Sequence, residues 1–76
     1  MPYKVNGYKL IDIMNKKNMT VDELVKLTGV SRKTIFNYRA SRHRGTYVHL
    51  ARIAEALDVP MESFARKVDR DEWDGE

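Results

Sequence analysis

The 76-residue sequence has no cysteine, two prolines, four glycines and two histidines. Without thiols, neither a disulfide framework nor a Cys-based zinc site can hold the fold together, so stability has to come from packing. A chain this short buries only about 60% of its unfolded surface, which limits it to one small domain. No apolar run approaches the roughly 18 residues of a membrane span, and MPYKVNGYKL lacks the apolar stretch of a signal peptide. These absences predict a soluble, unsecreted, cytoplasmic protein with no membrane partner. With only His43 and His49 available, no Ser/His/Asp or Cys/His arrangement can activate a nucleophile, and an enzyme is not expected. Asp69 and Asp71 begin like a calcium loop, but Trp73 occupies the fifth loop position and Gly75 falls one place late. No metal or cofactor is predicted.

What is present is positive charge, unevenly spread. The net charge is +3, yet residues 65–76 carry three Lys/Arg against five Asp/Glu, leaving 11 against six in the first 64. A basic body with an acidic tail points to a polyanion partner, with a membrane surface the weaker option. A merely solvated surface would account for such a surplus equally well.

No repeat or low-complexity tract interrupts the chain, and its periodicity predicts five short helices. The first covers about 8–16, with Asn6 as cap and Leu10, Ile13 and Met14 on one stripe. The second opens at Thr20, where Glu23 completes a capping box, turns Leu24 and Leu27 inward and stops near Thr28. Gly29 follows, suited to the left-handed conformation that ends a helix. Ser31 can cap the third, about 32–39, and Thr46 the fourth, in which Leu50, Ile53, Ala54 and Leu57 recur at helical spacing. Pro60 fits the start of a fifth, with Met61, Phe64, Ala65 and Val68 on its inner stripe to about Val68. The predicted organisation is an N-terminal arm over 1–7, a helical domain over 8–68 and an acidic, loosely ordered tail over 69–76.

The stretch SRKTIFNYRASRHRG combines core and charge. Successive residues turn by about 100°, so Ile35 and Tyr38 fall on one side of the third helix while Arg32, Lys33, Phe36, Asn37 and Ala40 share the other. Arg or Lys can donate to guanine, Asn can both give and accept at adenine, and an apolar ring suits the thymine methyl. Any amphipathic helix has a polar face, but cations at a helix N-terminus oppose its dipole, and no acid lies close by in sequence. Phe36, facing outward, needs a partner. The loop ASRHRG adds Arg42, His43 and Arg44, which could clamp phosphates or only be solvated. Two helices joined through a Gly-containing turn form a helix-turn-helix, whose second helix enters the major groove of double-stranded DNA.

MTVDELVKLTGVSRKTIFNYR and HLARIAEALDVPMESF resemble the paired helices and the last two helices of the Cro and lambda-repressor (XRE-type) family. The likeness covers about residues 10–64. It implies an all-α, compact five-helix domain that binds DNA sequence-specifically, commonly as a repressor and as a homodimer on palindromic operators in a bacterial or phage setting. It also implies base reading by Arg32, Lys33 and Asn37, with Phe36 between them, and backbone contacts near Ser31, Thr34, Arg42, His43 and Arg44. Three positions depart from the family pattern. Val21 stands where many members have a phosphate-contacting Gln. Val25 replaces a small residue between the paired helices. Met14 and Arg39 stand where an Arg–Glu pair is frequent, so packing replaces a charge pair and Arg39 is left as a free cation turned towards DNA. Two alternatives share the scaffold. An antitoxin or other protein-binding module would use exposed Trp73 and the tail as its partner surface. An excisionase-like architectural protein would bend DNA with the same charges.

Overall fold

The computed structural model describes residues 3–41 and 44–68. In chain order these form strand β1 (Tyr3–Val5), helices α1 (Gly7–Lys16), α2 (Val21–Thr28), α3 (Arg32–Arg39) and α4 (Tyr47–Leu57), a 3-10 turn (Met61–Ser63) and strand β2 (Ala65–Lys67). The strands pair antiparallel, with Val5 opposite Ala65 and Tyr3 opposite Lys67. Tyr3–Val5, expected within an N-terminal arm, therefore belong to a sheet.

Local chemistry explains most helix ends. Asn6 Oδ1 accepts from the Lys9 N–H at 3.2 Å and opens α1. Thr20 Oγ1 accepts from the Glu23 N–H while the Glu23 carboxylate accepts from the Thr20 N–H, both at 3.1 Å, closing the capping box of α2. Gly29 ends that helix with φ +73°. Ser31 Oγ accepts from the Thr34 N–H at 3.2 Å to start α3. Thr46 precedes α4 but makes no side-chain capping bond, contrary to expectation. Its backbone N–H is drawn instead to the Tyr38 hydroxyl at 3.4 Å.

Every helix sends side chains to one core. Leu10, Leu24, Ile35, Leu50 and Ile53 are fully buried, with Met14, Tyr38, Leu57 and Phe64 nearly so. Full burial of such a side chain contributes about 1.5–3 kcal/mol. The Lys16–Asp12 and Arg32–Asp22 ion pairs lie at the surface, where such pairs contribute roughly 0–1 kcal/mol. Packing therefore dominates. Thr28 is buried and satisfied: its hydroxyl donates to Leu24 O at 2.6 Å and accepts from the Val30 N–H at 3.1 Å.

Two further expectations fail. The fold is not all-α with five helices: the described residues form four helices and a two-stranded sheet. The apolar positions of the expected fifth helix were sound, since Phe64, Ala65 and Val68 are buried. An eight-residue segment is below the roughly 12–15 residues at which a helix holds by itself, and Pro60 gives it no side-chain cap. Pairing with β1 satisfies its backbone instead, beginning with the Asn6 N–H to Phe64 O bond at 2.7 Å. Leu27 is the second failure, being 63% exposed. α2 buries Val21, Leu24 and Thr28, and Leu27 sits about 100° round the helix from the middle of that face.

Candidate nucleic-acid interface

The placement of α3 follows from its inner face. Ile35 is fully buried and Tyr38 is 2% exposed, so the opposite side must face outward. Arg32 and Lys33 are exposed there, Asn37 is half-buried, and Phe36 keeps 45% of its surface exposed. The N-terminal end of α3 is joined to α2 through Gly29, Val30 and Ser31. Val30 is buried, and Arg52 of α4 donates to Thr28 O at 3.3 Å, which ties the turn to the rest of the domain.

The ends of the helix are constrained differently. Arg32 does have an acidic partner, contrary to the sequence reading: Asp22 of α2, ten positions earlier, pairs with its guanidinium across the turn. Both side chains remain largely exposed, so the carboxylate can be displaced at little cost. Ser31 Oγ donates to Thr34 Oγ1 at 2.8 Å, and Thr34 retains its own hydroxyl proton for a further acceptor.

Arg39, expected to be a free cation extended towards DNA, is half-buried instead. Its guanidinium carbon stands 5.7 Å from the centre of the Phe36 ring, a cation–π contact one helical turn long. Its Nε is buried without a hydrogen-bond partner among the described residues. Met14, 2% exposed, packs where the family pattern has a charge. Val21 is likewise a core residue at 8% exposure rather than a surface contact.

The loop after α3 starts at Ser41, whose φ of +58° is costly for a residue with a side chain. Its Oγ offsets that by accepting from the Gly7 N–H at 2.8 Å, which locks the start of α1 against the end of α3. Gly7 has no room for a side chain, because a Cβ there would collide with the Arg39 carbonyl and stand 2.7 Å from Ser41 Oγ. Arg42 and His43 lie outside the described residues, as do Trp73 and the acidic tail. Arg44 is exposed and meets Lys33 and Asn37 around a cavity of about 310 Å³, together with Thr34, Tyr38, Thr46 and His49. A larger cavity of about 460 Å³, lined by Lys4, Lys9, Ser41 and Arg66 among others, shares no residue with α3.

One contact of this face was not foreseen: His49 is half-buried and its Nδ1 lies 3.1 Å from the Tyr38 hydroxyl. Thr46 and His49, three apart at the start of α4, share the side turned to α3, and that spacing was the available signal. Among the described residues no group of three or more His, Asp or Glu could hold a metal ion, and no helix is long and apolar enough to cross a membrane.

A helix pair joined by a left-handed glycine, with cations, an amide and an apolar ring on the outer face of its second helix, defines a helix-turn-helix domain. Residues 9–65 match the model of the Cro/C1-type HTH DNA-binding domain, and the chain belongs to that family. It is 35% identical over 57 residues, 75% of its length, to a Methanococcus vannielii protein named as an HTH-type transcriptional regulatory protein, of which it spans 17%. Among solved structures it resembles the restriction-modification controller protein C.AhdI from Aeromonas hydrophila, with a TM-score of 0.70 and 21% identity over 75% of this chain and 86% of that one. It also resembles part of Streptomyces albus HEPD, solved with 2-hydroxyethylphosphonate and Fe(II), with a TM-score of 0.70 and 25% identity over 78% of this chain. That second likeness covers 13% of the HEPD chain and bears on the fold of the segment alone.

Proposed function

We propose that this domain binds double-stranded DNA sequence-specifically and serves a small transcriptional regulator, acting as a repressor and as a homodimer on paired half-sites. In this reading α3 enters the major groove. Arg32, Lys33, Phe36 and Asn37 meet base edges, while Ser31, Thr34, Arg42, His43 and Arg44 hold the phosphate backbone. The observation that carries it is the exposed face of α3. Arg32, Lys33, Asn37 and a 45%-exposed Phe36 stand outward together on a helix whose other side is fully packed. Family membership and the regulatory name of the Methanococcus relative support the same reading.

Asp22 fits this picture as a displaceable partner. It pairs with Arg32 at the surface, and exchanging one exposed carboxylate for a base edge or phosphate costs little. Phe36, steadied by Arg39, offers a flat apolar surface for a thymine methyl. The direct test is fluorescence anisotropy of labelled duplex DNA at about 50 and about 200 mM salt. A polyanion footprint of six or more phosphates predicts a loss of affinity of about a thousandfold or more between the two conditions. Absence of binding at the lower salt would refute the reading.

A further inference from the structure

Resting on the DNA-binding reading, we propose that His49 is a phosphate contact oriented by Tyr38, and that the cavity between α3 and the start of α4 seats one backbone phosphate of bound DNA. The Tyr38 side chain is almost wholly buried, and its oxygen receives the Thr46 N–H at 3.4 Å. Its own proton then needs an acceptor, because a buried hydroxyl left without one is costly. His49 Nδ1, 3.1 Å away, is the acceptor the structure supplies.

That bond fixes the tautomer. If Nδ1 accepts, the neutral imidazole carries its proton on Nε2, across the ring from Tyr38. His49 lines the 310 Å³ cavity, so it brings an N–H donor there without needing to be charged. The other groups around this space suit an anion. Lys33 and Arg44 are cationic, and Asn37 and Thr34 can donate, while none of the described residues that line it is a carboxylate. Thr46 adds nothing from its backbone N–H, which is already committed to Tyr38. The seat sits beside Lys33 and Asn37, so a phosphate held there sets how deep α3 lies in the groove. His49 thus acts on register and carries no sequence information of its own.

The test is ethylation interference on a duplex selected by the wild-type protein, repeated with variants. His49→Ala should bind every duplex roughly tenfold more weakly, as expected for the loss of a hydrogen bond to a charged group. More tellingly, its interference pattern should lack one phosphate per half-site that the wild type requires. Tyr38→Phe, which keeps the ring and removes the hydroxyl, should lose the same phosphate. His49→Gln, which restores a donor, should recover it. Circular dichroism melting confirms that each variant is folded, and the Phe and Gln variants carry the test should the Ala variant unfold. A pattern identical to wild type in folded His49→Ala or Tyr38→Phe protein would overturn this proposal while leaving DNA binding intact. A wild-type protein that selects no duplex would overturn the DNA reading and this proposal together.

Discussion

Replacing Gly7 by Ala should destabilise the domain, although helix propensity predicts the opposite. Within a helix, Ala over Gly ordinarily gains about 0.5–1 kcal/mol, and Gly7 is not among the positive-φ glycines. The reason for glycine is outside the helix. A methyl group would meet the Arg39 carbonyl, its carbon at 2.7 Å and Ser41 Oγ at 2.7 Å. Backbone cannot rotate aside as a side chain does, so α1 has to lift from α3. Such overpacking costs about 1–3 kcal/mol, and the Gly7 to Ser41 hydrogen bond, worth about 1 kcal/mol, is lost as well. Less the propensity gain, the net loss is about 1–3.5 kcal/mol from a total of about 4–11 kcal/mol for a chain of this length. Each kcal/mol moves the melting temperature of a small domain by about 4–8 °C, which predicts a fall of about 4–28 °C. Thermal unfolding followed by far-ultraviolet circular dichroism measures it. A melting temperature equal to or above wild type would refute the claim that close backbone contact dictates glycine here.

Leu24→Ala should cost about 2–5 kcal/mol in denaturant unfolding, whereas Leu27→Ala should stay within about 0.5 kcal/mol, because the first side chain is fully buried and the second is 63% exposed. Asn37→Ala and Arg32→Ala should each cost about 1–3 kcal/mol on a selected DNA site and relax preference at one base pair, read by competition with single-base variants. Arg44→Ala should weaken all sequences alike and lower the salt slope by about 1. Asp22→Asn should tighten binding to mixed-sequence DNA without changing stability by more than about 1 kcal/mol, since it frees Arg32 from an exposed pair. Unaltered affinity in that variant would show that the pair does not compete with DNA.

Much of the fold was legible because short-range rules governed it. Thr20 with Glu23, Gly29, Ser31 and the stripe from Leu50 to Leu57 each specify their structure within a few residues, and each is found as read. The fifth helix misled because Met61, Phe64, Ala65 and Val68 fit a helical stripe while a turn and strand bury the last three equally well. The deciding fact was the pairing of β1 with β2, some sixty positions apart in the chain, which no local pattern encodes. The same holds at the interface. The outward face of α3 followed from about 100° of rotation per residue, but the Arg32–Asp22 pair and the Tyr38–His49 contact cross between helices. Arg39 was misread for a subtler reason: both members of the frequent Arg–Glu pair are replaced, and its guanidinium lies over the Phe36 ring one turn back instead of extending into solvent.

The apolar make-up of the core among the described residues separates two responses that many DNA-binding proteins confound. α1 and α3 are joined by buried Met14, by close contact at Gly7 and by a neutral Ser41 hydrogen bond, and the buried polar side chains Thr28 and Tyr38 are uncharged. Mobile ions have little to screen there, whereas the outer face of α3 is where screening acts. Raising the salt concentration should therefore strip nucleic acid from the protein while the protein keeps its shape. Ionic strength becomes a control that addresses occupancy alone, convenient for purification and for any cell whose internal salt varies.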